Sequence, residues 1–193
     1  MKTDIILAGV GGQGILSIAS ILGAAALKEN LFLKQAETHG MSQRGGAVVS
    51  HLRISDKEIA SDLIPLGTAD IILSVEPMEA LRYLPFLSKK GYIVTNTTPV
   101  INVPNYPKLE SILEEIRKQP HFVAIAADEI AGEIGNKRAS NMVMLGAAAP
   151  FVTISPTQIE KGIEAVFNRK GEEVVELNRK AFRAGLKFAE EHR

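Results

Sequence analysis

Short apolar runs alternate with helix-like segments along the first two thirds of the chain. Four branched apolar runs, each ended by glycine or by polar residues, predict buried strands at residues 4–10, 69–77, 91–100 and 121–127. Segments with helical composition and spacing lie between them, at residues 14–30, 78–88 and 109–119. Strands that alternate with helices in this way predict a mostly parallel sheet covered on both faces.

Two more strands are predicted at residues 31–37 and 47–55. The second alternates cleanly, so that Val48 and Leu52 share one face and Val49 the other. From Asp128 onward the pattern favours helices, with Ser155 placed to cap a helix that begins at Pro156. The expected fold class is therefore a three-layer α/β fold, Rossmann-like in its first half, with a helical C-terminal region.

Length, charge and hydropathy limit the classes of protein to which the chain can belong. The chain of 193 residues with 46% hydrophobic residues is expected to form a single domain, residues 1–193. Its 22 basic and 22 acidic residues balance, which argues against a general nucleic-acid or membrane-surface binder. The N-terminal segment breaks at glycines before a signal-peptide core develops, and no apolar run reaches the roughly 18–20 residues that cross a bilayer. We expect a cytoplasmic protein without a nucleic-acid or membrane partner.

The sequence contains no cysteine. This excludes disulfides, thiolate zinc sites, cysteine-ligated iron–sulfur clusters and a cysteine nucleophile within these residues. No spacing of His, Asp and Glu resembles a metal site either, so no metal is expected.

A glycine loop follows the first predicted strand directly. Gly9, Gly11 and Gly14 have the spacing G-x-G-x-x-G, with Gly12 and Gln13 between them, and the segment opens a helix. Glycines allow a tight turn and a close approach of the backbone, and the helix N-terminus offers free N–H groups to an anion. The alternative is a glycine turn that only packs helix against strand.

A dinucleotide site is one functional interpretation of this loop. It requires an acidic residue at the end of the second strand to bind the ribose, and Glu37 lies 23 residues after Gly14. The chain then enters another loop and a strand instead of the expected helix. The sequence therefore supports binding of an anion by the glycine loop, whereas its support for binding the adenosine part of a dinucleotide is weak.

A second polar loop occupies residues 37–46. Arg44 is its strongest anion ligand because the planar guanidinium binds phosphate or carboxylate through two donors, and Ser42 and Gln43 add neutral hydrogen bonds. Gly45 and Gly46 allow sharp turns. His39 and Arg44 are possible site residues, or they tie this loop to the rest of the fold.

Three smaller features leave two interpretations open. Glu76 is a site acid or, as we favour, a carboxylate at a helix start. The segment 95–99 (TNTTP) binds a ligand or, as we favour, forms a turn. The strand at 47–55 places Ser50 and His51 on opposite faces, and we favour a structural role for it.

Three segments carry a family resemblance. The motifs GVGGQGI (9–15) and AETHGMSQRGGAVVSHLRI (36–54), together with SNMVMLGA (140–147), resemble the gamma-type domain of the 2-oxoacid:ferredoxin oxidoreductases, in particular the beta subunit of its indolepyruvate-oxidising members. The likeness extends over roughly residues 3–190. It adds Asn141 as a possible ligand contact.

The resemblance implies a subunit of a larger enzyme. Such enzymes oxidatively decarboxylate a 2-oxoacid on thiamine diphosphate, pass electrons through iron–sulfur clusters to ferredoxin, and form an acyl-CoA. In the indolepyruvate type, the thiamine and the clusters lie on a larger alpha-type partner subunit, which agrees with the lack of cysteine here. Coenzyme A would be the co-substrate, no cofactor is assigned to this chain alone, and no catalytic residue is identified in it.

The implied ligand-facing set combines the two glycine loops. It consists of Gly9, Gly11, Gly12, Gln13, Gly14, Ser42, Gln43, Arg44, Gly45 and Gly46, with His39 and Asn141 as possible additions. Two other classes stay open: an NAD-dependent oxidoreductase that uses the first loop, and a non-catalytic assembly subunit whose loops grip its partner.

Overall fold

A computed structural model describes residues 1–40 and 45–192. Within them a six-stranded sheet has the order β2-β3-β1-β4-β5-β6. Its strands are β1 (Lys2–Val10), β2 (Phe32–His39), β3 (Ala47–Ser55), β4 (Ala69–Ser74), β5 (Leu87–Asn96) and β6 (Phe122–Ile125). Strands β1, β4, β5 and β6 are parallel, whereas β3 runs antiparallel to both of its neighbours. The predicted mostly parallel sheet is confirmed.

Helices cover both faces of the sheet. They are α1 (Ile15–Lys28), α2 (Pro77–Arg82), α3 (Leu109–Arg117), α4 (Ala127–Glu133), α5 (Ser140–Ala148), α6 (Pro156–Phe167) and α7 (Glu172–His192). Ser155 caps α6 as predicted, accepting a hydrogen bond from Gln158 N. The helical C-terminal region is confirmed, although Gly171, at φ 97°, separates α6 from α7.

Alternation along β1 divides the core into two layers. Ile5 and Leu7 belong to the large apolar cluster beneath α1, α5, α6 and α7, whereas Ile6 and Ala8 join a smaller cluster on the other face. That second face is extended by a cluster in which α2 and α3 pack against β5. Since side chains alternate across a strand, one apolar run supplies both layers.

The region around Pro85 departs from its predicted boundaries. The helix expected at 78–88 ends at Arg82, and β5 already begins at Leu87 instead of at 91. Leu87 pairs with Ala69, and the register then shifts so that Tyr92 pairs with Ile71. Pairing with β4 thus draws these residues into the sheet, overriding their helical composition.

The strand predicted at 69–77 is also shorter than expected. It ends at Ser74, because Glu76 adopts the N-cap position of α2 with Pro77 as its first helical residue.

Helices α5 and α7 cross with their backbones in contact. A Cβ atom built on Gly146 would lie 1.9 Å from Phe182 O, and one on Gly185 would lie 1.9 Å from Val143 O. Only glycine fits at either position, so this pair fixes how α7 lies on the core.

Among the described residues, no helix has both the length and the apolar character that a membrane span requires.

Candidate functional site

The carboxyl ends of the parallel strands carry the polar loops that the sequence singled out. Residues 11–14 follow β1, Val75 and Glu76 follow β4, Asn96 ends β5, and Asp128 follows β6 closely. Ligands of open α/β sheets bind at this edge. The fold therefore brings the predicted glycine loop to the place where a site is expected.

Gln13 holds the glycine loop in position. Its Oε1 accepts a hydrogen bond from Val10 N at 2.7 Å, and its Nε2 donates to Val75 O at 3.0 Å. Both ends of this amide are engaged within the chain, which connects the end of β1 to the end of β4. Gln13 lies in the predicted site, but its contacts are those of a residue that shapes the loop.

Gly9 and Gly14 are required for close packing around the loop. A Cβ atom on Gly9 would lie 2.4 Å from Val75 Cγ2, and one on Gly14 would lie 2.4 Å from Asn141 Nδ2. Gly14 also has a left-handed backbone, φ 79°, as the N-cap of α1. Asn141 donates to Gly14 O at 3.2 Å. The structure therefore brings Asn141 to the glycine loop across 127 residues of sequence.

The two predicted loops touch each other. Gly11 N donates to Gly46 O at 2.9 Å, and Asn102 Nδ2 donates to Gly45 O at 2.6 Å. Ser42, Gln43 and Arg44 lie outside the described residues. Gly45 and Gly46 place the end of the second loop directly beside the first.

His39 lies at the end of β2 and is paired with an acid. Its Nε2 contacts Glu37 Oε1, and 55% of its side chain is exposed. It also lines a shallow depression with Gly11, Gly12 and Leu16 at the start of α1. His39 is thus near the glycine loop, on the side toward β3.

A cleft of about 780 Å³ opens on the other side of the glycine loop. Gly12, Gly14, Ser17 and Asn141 form one wall. Three cationic residues from the C-terminal region, Lys137, Arg138 and Lys170, also line it. A cleft of this volume accommodates an extended small molecule, and its cations favour an anionic one.

These three cations were missed from the sequence. Lys137 and Arg138 stand in a short turn between α4 and α5, directly before the family-like segment at 140–147. The basic pair Lys137 and Arg138, next to the start of a helix, could have been identified from the sequence as a possible anion site. Lys170 could not, because it lies in a charged run that is typical of a solvent-exposed helix face.

Asn96 and Asp128 form the acidic end of the cleft. Asn96 Nδ2 donates to Asp128 Oδ2 at 2.7 Å, and Asn96 Oδ1 accepts from Ala127 N at 3.1 Å. Asn96 Oδ1 also accepts from Thr98 N at 3.3 Å, so the favoured turn role of segment 95–99 agrees with the structure. Asp128 is the one carboxylate among the residues that line this cleft.

Glu76 is a helix cap, as favoured from the sequence. It is buried, and its Oε2 accepts from Glu79 N at 2.9 Å. Its neighbour Glu79 is also buried, and burial raises the pKa of the Glu79 carboxyl, partly opposed by the hydrogen bond from Arg82.

Strand β3 has the structural role that we favoured. Ser50 accepts a hydrogen bond from Gln35, and His51 Nδ1 accepts one from Ile64 N at 3.1 Å. Arg53 forms a two-point ion pair with buried Asp4 and donates to the carbonyls of Ser61 and Leu63. These contacts fasten the segment between β3 and β4.

Within residues 1–40 and 45–192, no three His, Asp or Glu side chains are grouped so that they could hold a metal ion.

Comparison with known proteins defines the family. Residues 4–188 match the family described as pyruvate ferredoxin/flavodoxin oxidoreductase. A protein of Archaeoglobus fulgidus named indolepyruvate oxidoreductase subunit IorB is 39% identical over 196 residues, covering 98% of this chain and 96% of that protein.

Two solved structures share the fold. The keto/oxoacid ferredoxin oxidoreductase gamma subunit of Geobacter sulfurreducens is 26% identical, has a TM-score of 0.71, and is covered over 99% of its length by 98% of this chain. The 2-oxoglutarate:ferredoxin oxidoreductase of Magnetococcus marinus, with 2-oxoglutarate, coenzyme A and succinyl-CoA bound, is 24% identical with a TM-score of 0.80; all of this chain covers 32% of that one.

Proposed function

The chain belongs to the pyruvate ferredoxin/flavodoxin oxidoreductase family, as a small subunit of a 2-oxoacid:ferredoxin oxidoreductase, and we propose that its enzyme oxidises indolepyruvate or a related 2-oxoacid. In this proposal the substrate is decarboxylated on thiamine diphosphate, electrons leave through iron–sulfur clusters to ferredoxin, and the acyl group is transferred to coenzyme A. The complex would act in the cytoplasm.

The proposed ligand of this chain is the phosphate-bearing part of coenzyme A. The observation that carries it is the cleft between the glycine loop and Lys137, Arg138 and Lys170. Cationic side chains and a helix N-terminus both favour phosphate. In this proposal the residues of the two predicted loops, Gly9 to Gly14 and Ser42 to Gly46, lie between the ligand and the partner subunit. Asn141 would keep the N-terminus of α1 in contact with the ligand.

A larger alpha-type subunit would hold the redox chemistry. The 193 residues contain no cysteine to ligate a cluster. Thiamine diphosphate supplies the carbanion stabilisation when it is bound to that partner. The residues of this chain then bind, orient and shield the ligand.

Sheet topology weakens the NAD-dependent alternative. In a dinucleotide-binding domain the ribose-binding acid stands on the strand next to β1. Here antiparallel β3 lies between β1 and β2, which carries Glu37. Neighbouring strands are about 4.8 Å apart, so Glu37 lies one strand further from the glycine loop than that function requires.

Anaerobic purification of the tagged chain from its native source tests the subunit proposal. We expect a larger brown partner to co-purify and to give thiamine-dependent reduction of ferredoxin. The complex should prefer indolepyruvate to 2-oxoglutarate in kcat/KM. A colourless chain that elutes alone would overturn the proposal, and a preference for 2-oxoglutarate would overturn the substrate.

Arg44→Ala in the purified complex tests the site. If the Arg44 guanidinium binds a phosphate, removing it should raise KM for coenzyme A about tenfold, with KM for the 2-oxoacid unchanged. Arg117→Ala is the matched control, since Arg117 is an exposed cation on α3 that pairs with Glu110. An intact complex with unchanged KM would contradict a ligand role for Arg44 and the second loop, whereas dissociation of the complex would support an assembly role for the loop.

A further inference from the structure

The segment 97–108, called here the strap, connects β5 to α3 across the carboxyl edge of the sheet. Its first residue, Thr97, donates to Ile125 O at 3.0 Å. The strap contains three prolines and two asparagines among its twelve residues, and none of them belongs to a helix or strand. Its position depends on contacts with the edge of the sheet.

Glu76 anchors the strap at two points. Its Oε1 accepts from Val100 N at 3.3 Å and from the hydroxyl of Tyr106, while its Oε2 caps α2. One buried carboxylate is therefore satisfied by the start of a helix and by both halves of the strap. Such a carboxylate, hydrogen-bonded from several sides, fixes the groups around it.

Tyr106 is suited to be a permanent donor in this anchor. Burial, and then the hydrogen bond to the Glu76 carboxylate, raise the pKa of the Tyr106 phenol. The hydroxyl thus stays protonated under all physiological conditions. Its ring packs against the apolar cluster of α3 and β5.

Asn102 reaches the second glycine loop from the middle of the strap. Its Nδ2 donates to Gly45 O at 2.6 Å, and the adjacent Gly46 O accepts from Gly11 N at 2.9 Å. Gly45 has φ 78° and no side chain with which to fix itself. Contacts therefore run from Glu76 through the strap to the end of one glycine loop and from there to the other.

We propose that the strap sets the position of both glycine loops, with Glu76, Tyr106 and Asn102 as positioning residues for the ligand. This inference rests on the proposed function, because it assumes that the loops bind the co-substrate. The residues themselves do not touch the ligand. They act by holding Gly45, and with it the adjacent Gly46 carbonyl to which Gly11 N donates.

Amide-resolved hydrogen exchange on the full chain tests the coupling. Asn102→Asp keeps the size of the side chain and removes the donor to Gly45 O. We expect exchange of the Gly11 amide to become about 3- to 10-fold faster, as the loss of one hydrogen bond allows. Tyr106→Phe, which removes only the hydroxyl, should act in the same direction.

Asn105→Asp is the matched control, since Asn105 is an exposed asparagine of the same strap. It should leave exchange of the Gly11 amide within about twofold of the parent. Equal rates for Asn102→Asp and Asn105→Asp would overturn the inference, whatever the kinetics of the complex.

Steady-state kinetics of the assembled enzyme distinguish a residue that positions the ligand-binding loops from one that only stabilises the fold. Asn102→Asp should raise KM for coenzyme A about 3- to 10-fold with kcat close to the parent, and Asn105→Asp should change neither. If Arg44→Ala raises this KM and Asn102→Asp does not, the strap inference fails alone. If neither variant changes it, the ligand role proposed for the second loop fails together with the strap inference.

Discussion

At the α5–α7 contact, Gly146 lets two helix backbones touch, and an added methyl group would meet Phe182 O. At the carboxyl edge, Gly12 and Gly45 have positive φ, 103° and 78°, yet a Cβ atom on either would meet nothing within 4 Å. Gly146 therefore serves packing, whereas Gly12 and Gly45 serve backbone conformation. The open space beside Gly12 and Gly45 leaves room for a ligand or partner to approach the backbone closely.

Gly146→Ala should produce the largest effect and break the first region. The methyl group cannot be accommodated without moving α7, so we expect the free energy of unfolding to fall by about 3 kcal/mol or more. Chemical denaturation of the full chain measures it. Gly132→Ala in α4 is the matched control, since its Cβ would lie 3.7 Å from the nearest side chain, and it should be neutral or stabilising by up to about 1 kcal/mol.

Gly12→Ala should have a smaller effect on stability and a larger one on ligand binding. The left-handed backbone would cost about 1–2 kcal/mol without any steric clash. Gly12 lines the cleft, so KM for coenzyme A in the complex should rise more than the loss of stability explains. An equally destabilised variant with unchanged KM would show that Gly12 does not face the ligand.

Changing the pH should have the smallest effect on the free energy of unfolding. It distinguishes the contribution of the titratable His51 from that of the apolar α5–α7 contact. Burial lowers the pKa of His51 below its ordinary value of 6.5; the negative charge of Asp62 opposes this shift, and the positive charge of Arg53 adds a smaller lowering effect. The unfolded chain then binds a proton more readily than the folded one. The stability that His51 contributes is complete above about pH 6.5 and is lost as pH falls through the folded-state pKa.

Denaturation at pH 8 and at pH 5 measures this dependence. His51→Gln should reduce the loss of stability at pH 5, because its amide does not titrate. The penalty of Gly146→Ala should be the same at both pH values, since backbone and apolar atoms make that contact. A pH dependence unchanged in His51→Gln would assign it to other groups.

Local patterns predicted most of the fold. The apolar runs located all six strands, and the boundaries of β3 were predicted to the residue. The errors occurred where tertiary pairing overrode composition, as at Leu87, which joins β5 because Ala69 pairs with it. The strand predicted at 69–77 was too long, because Glu76 takes the N-cap position of α2.

The arrangement of the candidate site was predicted in part. The glycine loop has a spacing that its chemistry requires, so Gly9 and Gly14 were identifiable. The role of Gln13 was not, since its two hydrogen bonds depend on how β4 lies beside β1. The strap contacts of Asn102 were equally invisible, because they join residues 57 positions apart.

The sequence by itself determined the alternation of strands and helices, the glycine loop at a strand end, the absence of cysteine and the family. These features follow from periodicity, from local backbone requirements and from composition, all of which can be read from residues close together in the sequence. Only the tertiary structure decided that β3 separates β1 from β2, that Lys137, Arg138 and Lys170 meet in one cleft, and that Glu76 anchors the strap. Each of these depends on which elements lie side by side, and neighbours in space are set by packing of the whole core.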